Sequence, residues 1–253
     1  QYRFEEHQIE GHSLGNLLLA ALTNIKNDFG HAVKELSKIL NIKGKVIPST
    51  NTNVMLNAVL EDGEIVEGES KIPKKNKKIR RVYLEPSNVE PMQEAVDALQ
   101  EADLIVLGPG SLYTSVISNL CIEGISKAII SSQAPKLYIS NIMTQPGETN
   151  DYDVYDHIKA IHQHAGEPFI DYVICSNDAF DEQILQRYKE RNAHPVNMNK
   201  IKLTENHIKM ITSKNLVEVY DHVLVRHNTK VLANLIYDLA LELTSTIQFK
   251  PKK

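Results

Sequence analysis

Three short apolar runs, Leu104-Ile105-Val106-Leu107, Leu137-Tyr138-Ile139 and Tyr172-Val173-Ile174-Cys175, alternate along the chain with stretches of helical periodicity. No other feature limits the fold so tightly. A strand that is apolar at nearly every residue is buried on both faces. Such strands, separated by helices, assemble into a parallel sheet with helices above and below it. The periodicity predicts helices over Met92–Glu101, Ser111–Asn119, Glu123–Ala128 and Val154–His164, with Asp181–Asn192 and Lys230–Leu243 after the last run. The fold class expected is α/β, a three-layer Rossmann-like and mainly parallel sheet, in one domain over residues 1–253.

The first third of the chain is less regular. Ser13 is placed to cap a buried helix running from Leu17 to Ile25, and Asp28 to cap a second one carrying Val33, Leu36, Ile39 and Leu40 at helical spacing. Gly44 stops that run, and Lys45-Val46-Ile47-Pro48 reads as a short strand. The period then changes to two: Val54, Leu56, Ala58 and Leu60 alternate before the turn Glu61-Asp62-Gly63-Glu64, with Ile65 beyond it. This predicts a β-hairpin excursion over residues 53–72. The run Lys74-Lys75-Asn76-Lys77-Lys78 is a solvated loop leading into a strand over Ile79–Leu84.

Composition narrows the function. With 42% hydrophobic residues in 253, the chain can bury a sizeable core. Twenty-eight basic against thirty-two acidic side chains give a net charge of −4, which argues against a nucleic-acid partner. Cys121 and Cys175 lie far apart and outside any CxxC pattern, so neither a disulfide framework nor a zinc ribbon is present and a reducing compartment fits. No apolar run approaches the roughly 18–20 residues needed to span a bilayer, and no signal peptide is visible. A cytoplasmic location is the expectation.

Three segments carry candidate chemistry. The run Leu107-Gly108-Pro109-Gly110-Ser111-Leu112-Tyr113-Thr114-Ser115 ends a buried strand in two glycines and opens a helix at once. In an open parallel sheet, ligands sit beyond the carboxyl ends of the strands, and free N–H groups at a helix N-terminus favour a phosphate. Gly108, Gly110, Ser111 and Thr114 are therefore candidate ligand contacts. The loop after the next strand, Ser140-Asn141-Ile142-Met143-Thr144-Gln145-Pro146-Gly147-Glu148-Thr149-Asn150, points the same way. It offers Asn141, Gln145, Gly147, Glu148 and Thr149, and the two loops are expected to share one cleft. Gly11-His12-Ser13-Leu14-Gly15-Asn16 adds His12, Ser13 and Asn16, against the plainer reading of a capping turn. Arg226 is a candidate partner for a diphosphate, and Thr229 is a candidate cap of the last helix and a regulatory phosphorylation site. His157 and His164 share a helix face without a third ligand, so no metal site is expected. No GxSxG, HExxH or Cys-His signature is present, and no catalytic residue is assigned.

Taken together, the Gly11–Asn16 segment, the Gly-Pro-Gly-Ser turn and the Asn141–Thr149 loop resemble one family over nearly the whole chain. It is the 2-phospho-L-lactate transferase-like (CofD-like) family, in its bacterial YvcK branch of gluconeogenesis factors. Arg226-His227-Asn228-Thr229 is similar to the branch's Arg-His-Asp-Thr, with Asn228 in place of the usual Asp. The family's opening strand, its Gly-Gly-Gly-Thr-Gly loop and the following Asp-Asp-Gly-Gly-Ser segment are not found in the 253 residues, which removes half of the expected nucleotide cleft.

The resemblance implies a regulator that binds a UDP-sugar and serves morphogenesis and cell-wall synthesis on gluconeogenic carbon sources, with no established reaction. It also implies partners among cell-wall synthesis enzymes or a kinase, and is compatible with a homo-oligomer. The alternative it implies is a group transferase acting on a nucleotide-linked phospho-acid. Only in that reading is a divalent cation expected, held by Glu148 or by the absent acidic segment. A third reading is a scaffold for cell-wall enzymes whose glycine loops bind nothing.

Overall fold

The protein's structure, a computed structural model, describes residues 13–221 and 224–248. Two helices come first, α1 (Leu14–Lys26) and α2 (Phe29–Ile39). Their caps are the expected ones: the Asn16 N–H donates to Ser13 Oγ at 3.2 Å and the His31 N–H to Asp28 Oδ1 at 2.6 Å. The expectation of a buried α1 is corrected. No residue of this helix is buried, and Leu14, Leu18 and Ile25 are exposed. Among the described residues α1 packs mainly on α2, which leaves much of its apolar stripe uncovered. The strand expected at Lys45–Pro48 is also absent. That segment is irregular and Val46 is exposed, because no neighbouring strand offers it a ladder.

The hairpin is present as β1 (Met55–Leu60) and β2 (Ile65–Glu67). β3 (Ile79–Glu85) pairs with β1 on its other side, which makes a three-stranded antiparallel sheet of order β2-β1-β3. The alternation seen in sequence gives this layer an inner face, where Leu56, Ala58, Leu60, Val82 and Leu84 are buried.

The parallel sheet is built from β4 (Ile105–Leu107), β5 (Lys136–Ile139), β6 (Tyr172–Ser176) and β7 (Lys209–Ser213), in the order β4-β5-β6-β7. α3 (Gln93–Gln100) precedes β4. The β4–β5 crossover holds a π-helical turn (Leu112–Ile117), the short α4 (Ser118–Leu120) and α5 (Glu123–Ser131). α6 (Val154–Ala165) joins β5 to β6, while α7 (Glu182–Lys189) and α8 (Lys200–Glu205) join β6 to β7. β8 (Val217–Tyr220) and β9 (Leu224–His227) form a separate antiparallel pair before α9 (Thr229–Gln248).

Side-chain alternation on β5 divides the core. Tyr138 lies with Ile158 and Ile161 of α6 in the larger cluster, which continues into the antiparallel layer through Leu60 and Ile72. Leu137 and Ile139 face the other way and pack with Ile174, Leu216 and the α9 residues Leu232 and Leu239. The three layers are thus the α5–α6 face, the sheet and α9. Fully burying each of these large aliphatic side chains stabilises the fold by about 1.5–3 kcal/mol, so α9 is a structural layer rather than an appendage.

Candidate functional site

The site is assembled at the carboxyl ends of β4 and β5, where the two glycine-containing loops meet. The first loop follows Leu107 and turns through Gly108, Pro109, Gly110 and Ser111 into the π-helical turn. A π turn widens the backbone ring by one residue; here the Ser115 and Val116 N–H groups both donate to the Ser111 carbonyl, at 2.9 and 3.1 Å. Such turns recur at functional sites.

The second loop clasps the first. Asn141 Nδ2 donates to the Gly110 carbonyl at 2.9 Å, and Gln145 Nε2 to Ser111 Oγ at 3.0 Å. Glu148 completes the clasp. Its Oε2 accepts from the Tyr113 N–H at 3.0 Å and, at longer range, from the Thr114 N–H at 3.4 Å. Its Oε1 accepts from Thr114 Oγ1 at 2.9 Å. Glu148 is 5% exposed, and burial raises its carboxyl above the usual range against the lowering effect of these hydrogen bonds.

This carboxylate changes where a phosphate can bind. The expectation placed the anion on the free N–H groups of the helix start, but those of Tyr113 and Thr114 are already committed to Glu148. The donors that remain lie earlier in the turn. Among the described residues, the N–H groups of Gly108, Gly110 and Ser111 donate to no protein acceptor. Gly108 is exposed, and a Cβ there would meet nothing within 4 Å, so a ligand has room to approach this backbone. The Ser111 hydroxyl accepts from Gln145 and keeps its own proton to donate.

Other candidates hold the loops in shape. Thr149 is fully buried; its Oγ1 accepts from the Gln145 N–H at 2.8 Å and its own N–H donates to the Gln145 carbonyl at 2.9 Å. Gly147 has φ +83°, and a Cβ on it would collide with the Pro73 carbonyl oxygen. Only glycine fits between this loop and the Pro73–Lys75 turn of the antiparallel layer, which therefore braces the second loop. Asn150 extends the brace, accepting from the Gly147 N–H at 2.7 Å and donating to Asn76 Oδ1 at 3.1 Å.

A cavity of about 370 Å³ opens beside the clasp, at the ends of β5 and β6, with Ser140, Asn141, Ser176, Asn177 and Asn197 in its wall. Asn141 Oδ1 is buried and has no partner among the described residues, so the side chain that grips Gly110 also carries an unused acceptor. Cys175 lies in the same wall, but burial pushes its thiol up to about 12, which leaves it protonated at neutral pH.

The remaining candidates lie elsewhere. Ser13 is buried in its capping role and Asn16 is exposed on α1; no hydrogen bond joins either to the glycine loops among the described residues. His12 lies outside the described residues. Arg226 is exposed on β9, opposite Glu218 of β8. The strand itself reaches the second loop, since Val225 packs with Ile142 and Met143. The cap of α9 is corrected: Asn228 Oδ1 accepts from the Val231 N–H at 3.1 Å, and Thr229 is the first helical residue. An Asx side chain one residue earlier supplies the acceptor, so the threonine stays exposed. His157 and His164 each bond a main-chain carbonyl one turn back, at 2.8 and 2.7 Å, and no metal-competent group of three ligands exists among the described residues.

Two contributors had no signal in sequence. Pro73 acts through its carbonyl against Gly147. Asp178 secures the end of β6 to the start of β8, accepting from the Asn215 N–H at 2.8 Å and the Val217 N–H at 3.0 Å.

Comparison with known proteins agrees with this architecture. The model of the family described as 2-phospho-L-lactate transferase CofD matches residues 1–216. The gluconeogenesis factor of Bacillus subtilis (strain 168) is 44% identical over 243 residues, covering 96% of this chain and 76% of that protein. The gluconeogenesis factor of Halalkalibacterium halodurans is 42% identical over 249 residues, covering 98% and 77%. An X-ray crystal structure of a Bacillus halodurans protein superposes with a TM-score of 0.89 at 43% identity, covering 94% of this chain and 76% of that one. A family model over most of the chain, relatives above 40% identity and a matching solved fold agree, and the chain belongs to the CofD family, alongside its gluconeogenesis-factor members.

Proposed function

We propose that this protein is a cytoplasmic regulator that binds a nucleotide-sugar, a UDP-sugar such as UDP-N-acetylglucosamine, at the clasped loops. In this reading the diphosphate is held by the Gly108, Gly110 and Ser111 N–H groups with the Ser111 hydroxyl. The observation that supports it is the set of uncommitted donors on a rigid turn at the carboxyl end of a parallel strand. Asn141, Gln145, Glu148 and Thr149 keep that turn in its binding shape. Arg226 supplies a further charge from the β9 side.

Regulation rather than turnover fits the residues at hand. Ser111 and Thr114 are the first-loop hydroxyls that the second loop contacts, and their partners are an amide and a buried carboxylate already bonded to the backbone. The transferase alternative asks Glu148 to hold a divalent cation. Both of its oxygens accept from protein donors, and no group of three His, Cys, Asp or Glu side chains that could hold a metal surrounds it among the described residues, so the regulatory reading is favoured. The biological setting in this proposal is growth on gluconeogenic carbon sources, cell shape and peptidoglycan synthesis, with cell-wall enzymes or a kinase as protein partners. Calorimetric titration of the chain with UDP-N-acetylglucosamine and UDP-glucose tests the proposal. Saturable heat is expected from at least one of them, and none from either overturns it.

A further inference from the structure

Helix α6 carries three histidines that the ligand site does not use, His157, His162 and His164, and each is held in one chemical form by its bonds. His164 Nδ1 faces the Ala160 carbonyl at 2.7 Å, so that nitrogen carries the proton. Its Nε2 accepts from the Val82 N–H at 3.0 Å, on β3 at the edge of the antiparallel sheet. His162 Nε2 accepts from two N–H groups, those of Phe169 and Ile170, both at 3.2 Å, where the chain turns back toward β6. His157 is fully buried. Its Nδ1 faces the Asp153 carbonyl at 2.8 Å, and its Nε2 has no partner among the described residues.

A neutral imidazole suits all three places and an imidazolium suits none. A second proton would turn the acceptors of His162 and His164 into donors aimed at N–H groups, and would set a charge on His157 Nε2 with nothing to receive it. The neighbouring groups offset little of this. Arg81 of β3 acts against a charge on His164, and the other titratable group on that ring is Tyr113 of the π turn, packed edge-on with centroids 5.7 Å apart. His162 packs on the Phe169 ring. Tyr138 and Tyr152 flank His157, where the carboxylates of Asp153 and Asp156 favour the charged form against the larger effect of burial. Burial holds all three rings below the ordinary histidine value of about 6.5, and His162 down to about 4.

We infer that α6 is an acid-sensitive strut behind the clasp: neutral His157, His162 and His164 hold it against β3, the entry to β6 and the two ligand loops, and their protonation loosens it. The link to the loops is the pair Tyr113 and Tyr152, whose hydroxyls lie 2.7 Å apart. His164 packs on the first of these rings and His157 on the second. The inference does not depend on which ligand the loops take. A histidine whose proton affinity is lowered by folding contributes stability that is complete above about pH 6.5 and is lost as pH falls toward the folded value. Each ring exposed by opening takes up a proton from solvent, so the opening equilibrium rises by up to about ten-fold per histidine between pH 7.5 and 5.5.

Two measurements test the strut. Nitrogen NMR of the histidine rings at pH 7.5 is expected to find the proton on Nδ1 in all three; a proton on Nε2 of His162 or His164 overturns the inference. Hydrogen exchange, corrected for the intrinsic rate, then compares the protection of the Val82, Phe169, Ile170 and Tyr113 amides at pH 7.5 and 5.5. Protection is expected to fall by up to about ten-fold in the wild-type chain. His164→Gln keeps an uncharged acceptor for the Val82 N–H, so it should reduce the fall at Val82 and Tyr113 and leave it in place at Phe169 and Ile170. Equal protection at the two pH values, or an equal fall at Val82 with and without His164, overturns the strut. The ring protons and the pH comparison are read on the wild-type chain, so they decide the question even if the variant does not fold.

Discussion

Replacing Glu148 separates its structural role from its charge. Glu148→Ala removes the acceptor of the Tyr113 N–H, on a residue that is 2% exposed, together with that of the Thr114 hydroxyl. A buried donor left unsatisfied costs about 1–3 kcal/mol, while the hydroxyl can rotate toward another acceptor and the 3.4 Å contact of the Thr114 N–H adds little. The expected loss is about 1–3 kcal/mol, or roughly 2–12 °C in Tm for a chain of this size. Glu148→Gln keeps one acceptor oxygen and nearly the same shape, so it loses less.

The sign of the pH dependence then discriminates. Burial raises the Glu148 carboxyl in the folded state above its usual value. A carboxyl raised on folding contributes stability that is present below its unfolded pKa and is lost as pH rises through the folded one. Glutamine has no such dependence. Thermal unfolding of wild type and Glu148→Gln, followed by circular dichroism from pH 4 to 7.5, should therefore show the wild-type advantage largest near pH 4 and shrinking toward neutrality. An advantage that grows with pH would refute the reasoning, because it would mean that the hydrogen bonds outweigh desolvation and hold the carboxylate ionised.

Gly147→Ala forces a Cβ onto the Pro73 carbonyl at a positive φ, and urea unfolding should show a loss of at least about 2 kcal/mol. Asn228→Ala removes the α9 cap and should cost about 1 kcal/mol in the same assay, whereas Thr229→Ala should be nearly silent. Arg226→Ala should weaken UDP-N-acetylglucosamine about ten- to a hundred-fold by calorimetry with an unchanged circular dichroism spectrum. Thr229→Glu, which puts an anion in the first turn of α9, should raise Tm slightly and lower ligand affinity through competition for Arg226.

Much of this was legible in the chain itself, for reasons visible at particular residues. β5 and β6 are apolar because both of their faces are covered, so their runs stand out, and β4 is an equally apolar run although Val106 on its outer face is exposed at the sheet edge. β7 was missed because its sequence, Lys209-Met210-Ile211-Thr212-Ser213, is that of a half-exposed edge strand, polar where the sheet ends. β8 and β9 were missed because their pairing is a tertiary matter: Asp178 and the Tyr188 hydroxyl hold them, from more than thirty residues away. The apolar run of α1 reads as buried in any scale, yet exposure depends on what packs over it. The two glycine loops were visible as neighbours because adjacent parallel strands must deliver them to one edge. That Glu148 would spend its charge on the helix start was not visible, since it depends on a contact across 34 residues of sequence.

The central claim is that the uncommitted N–H groups of the first loop receive a diphosphate. Backbone amide chemical shifts of Gly108, Gly110 and Ser111, recorded while UDP-N-acetylglucosamine is titrated into the labelled chain, test it most directly. Saturable shifts at all three, with the Kd found by calorimetry and with Tyr113 and Thr114 moving less because Glu148 holds them, are the predicted result. Saturable binding that leaves Gly108, Gly110 and Ser111 unmoved would contradict it.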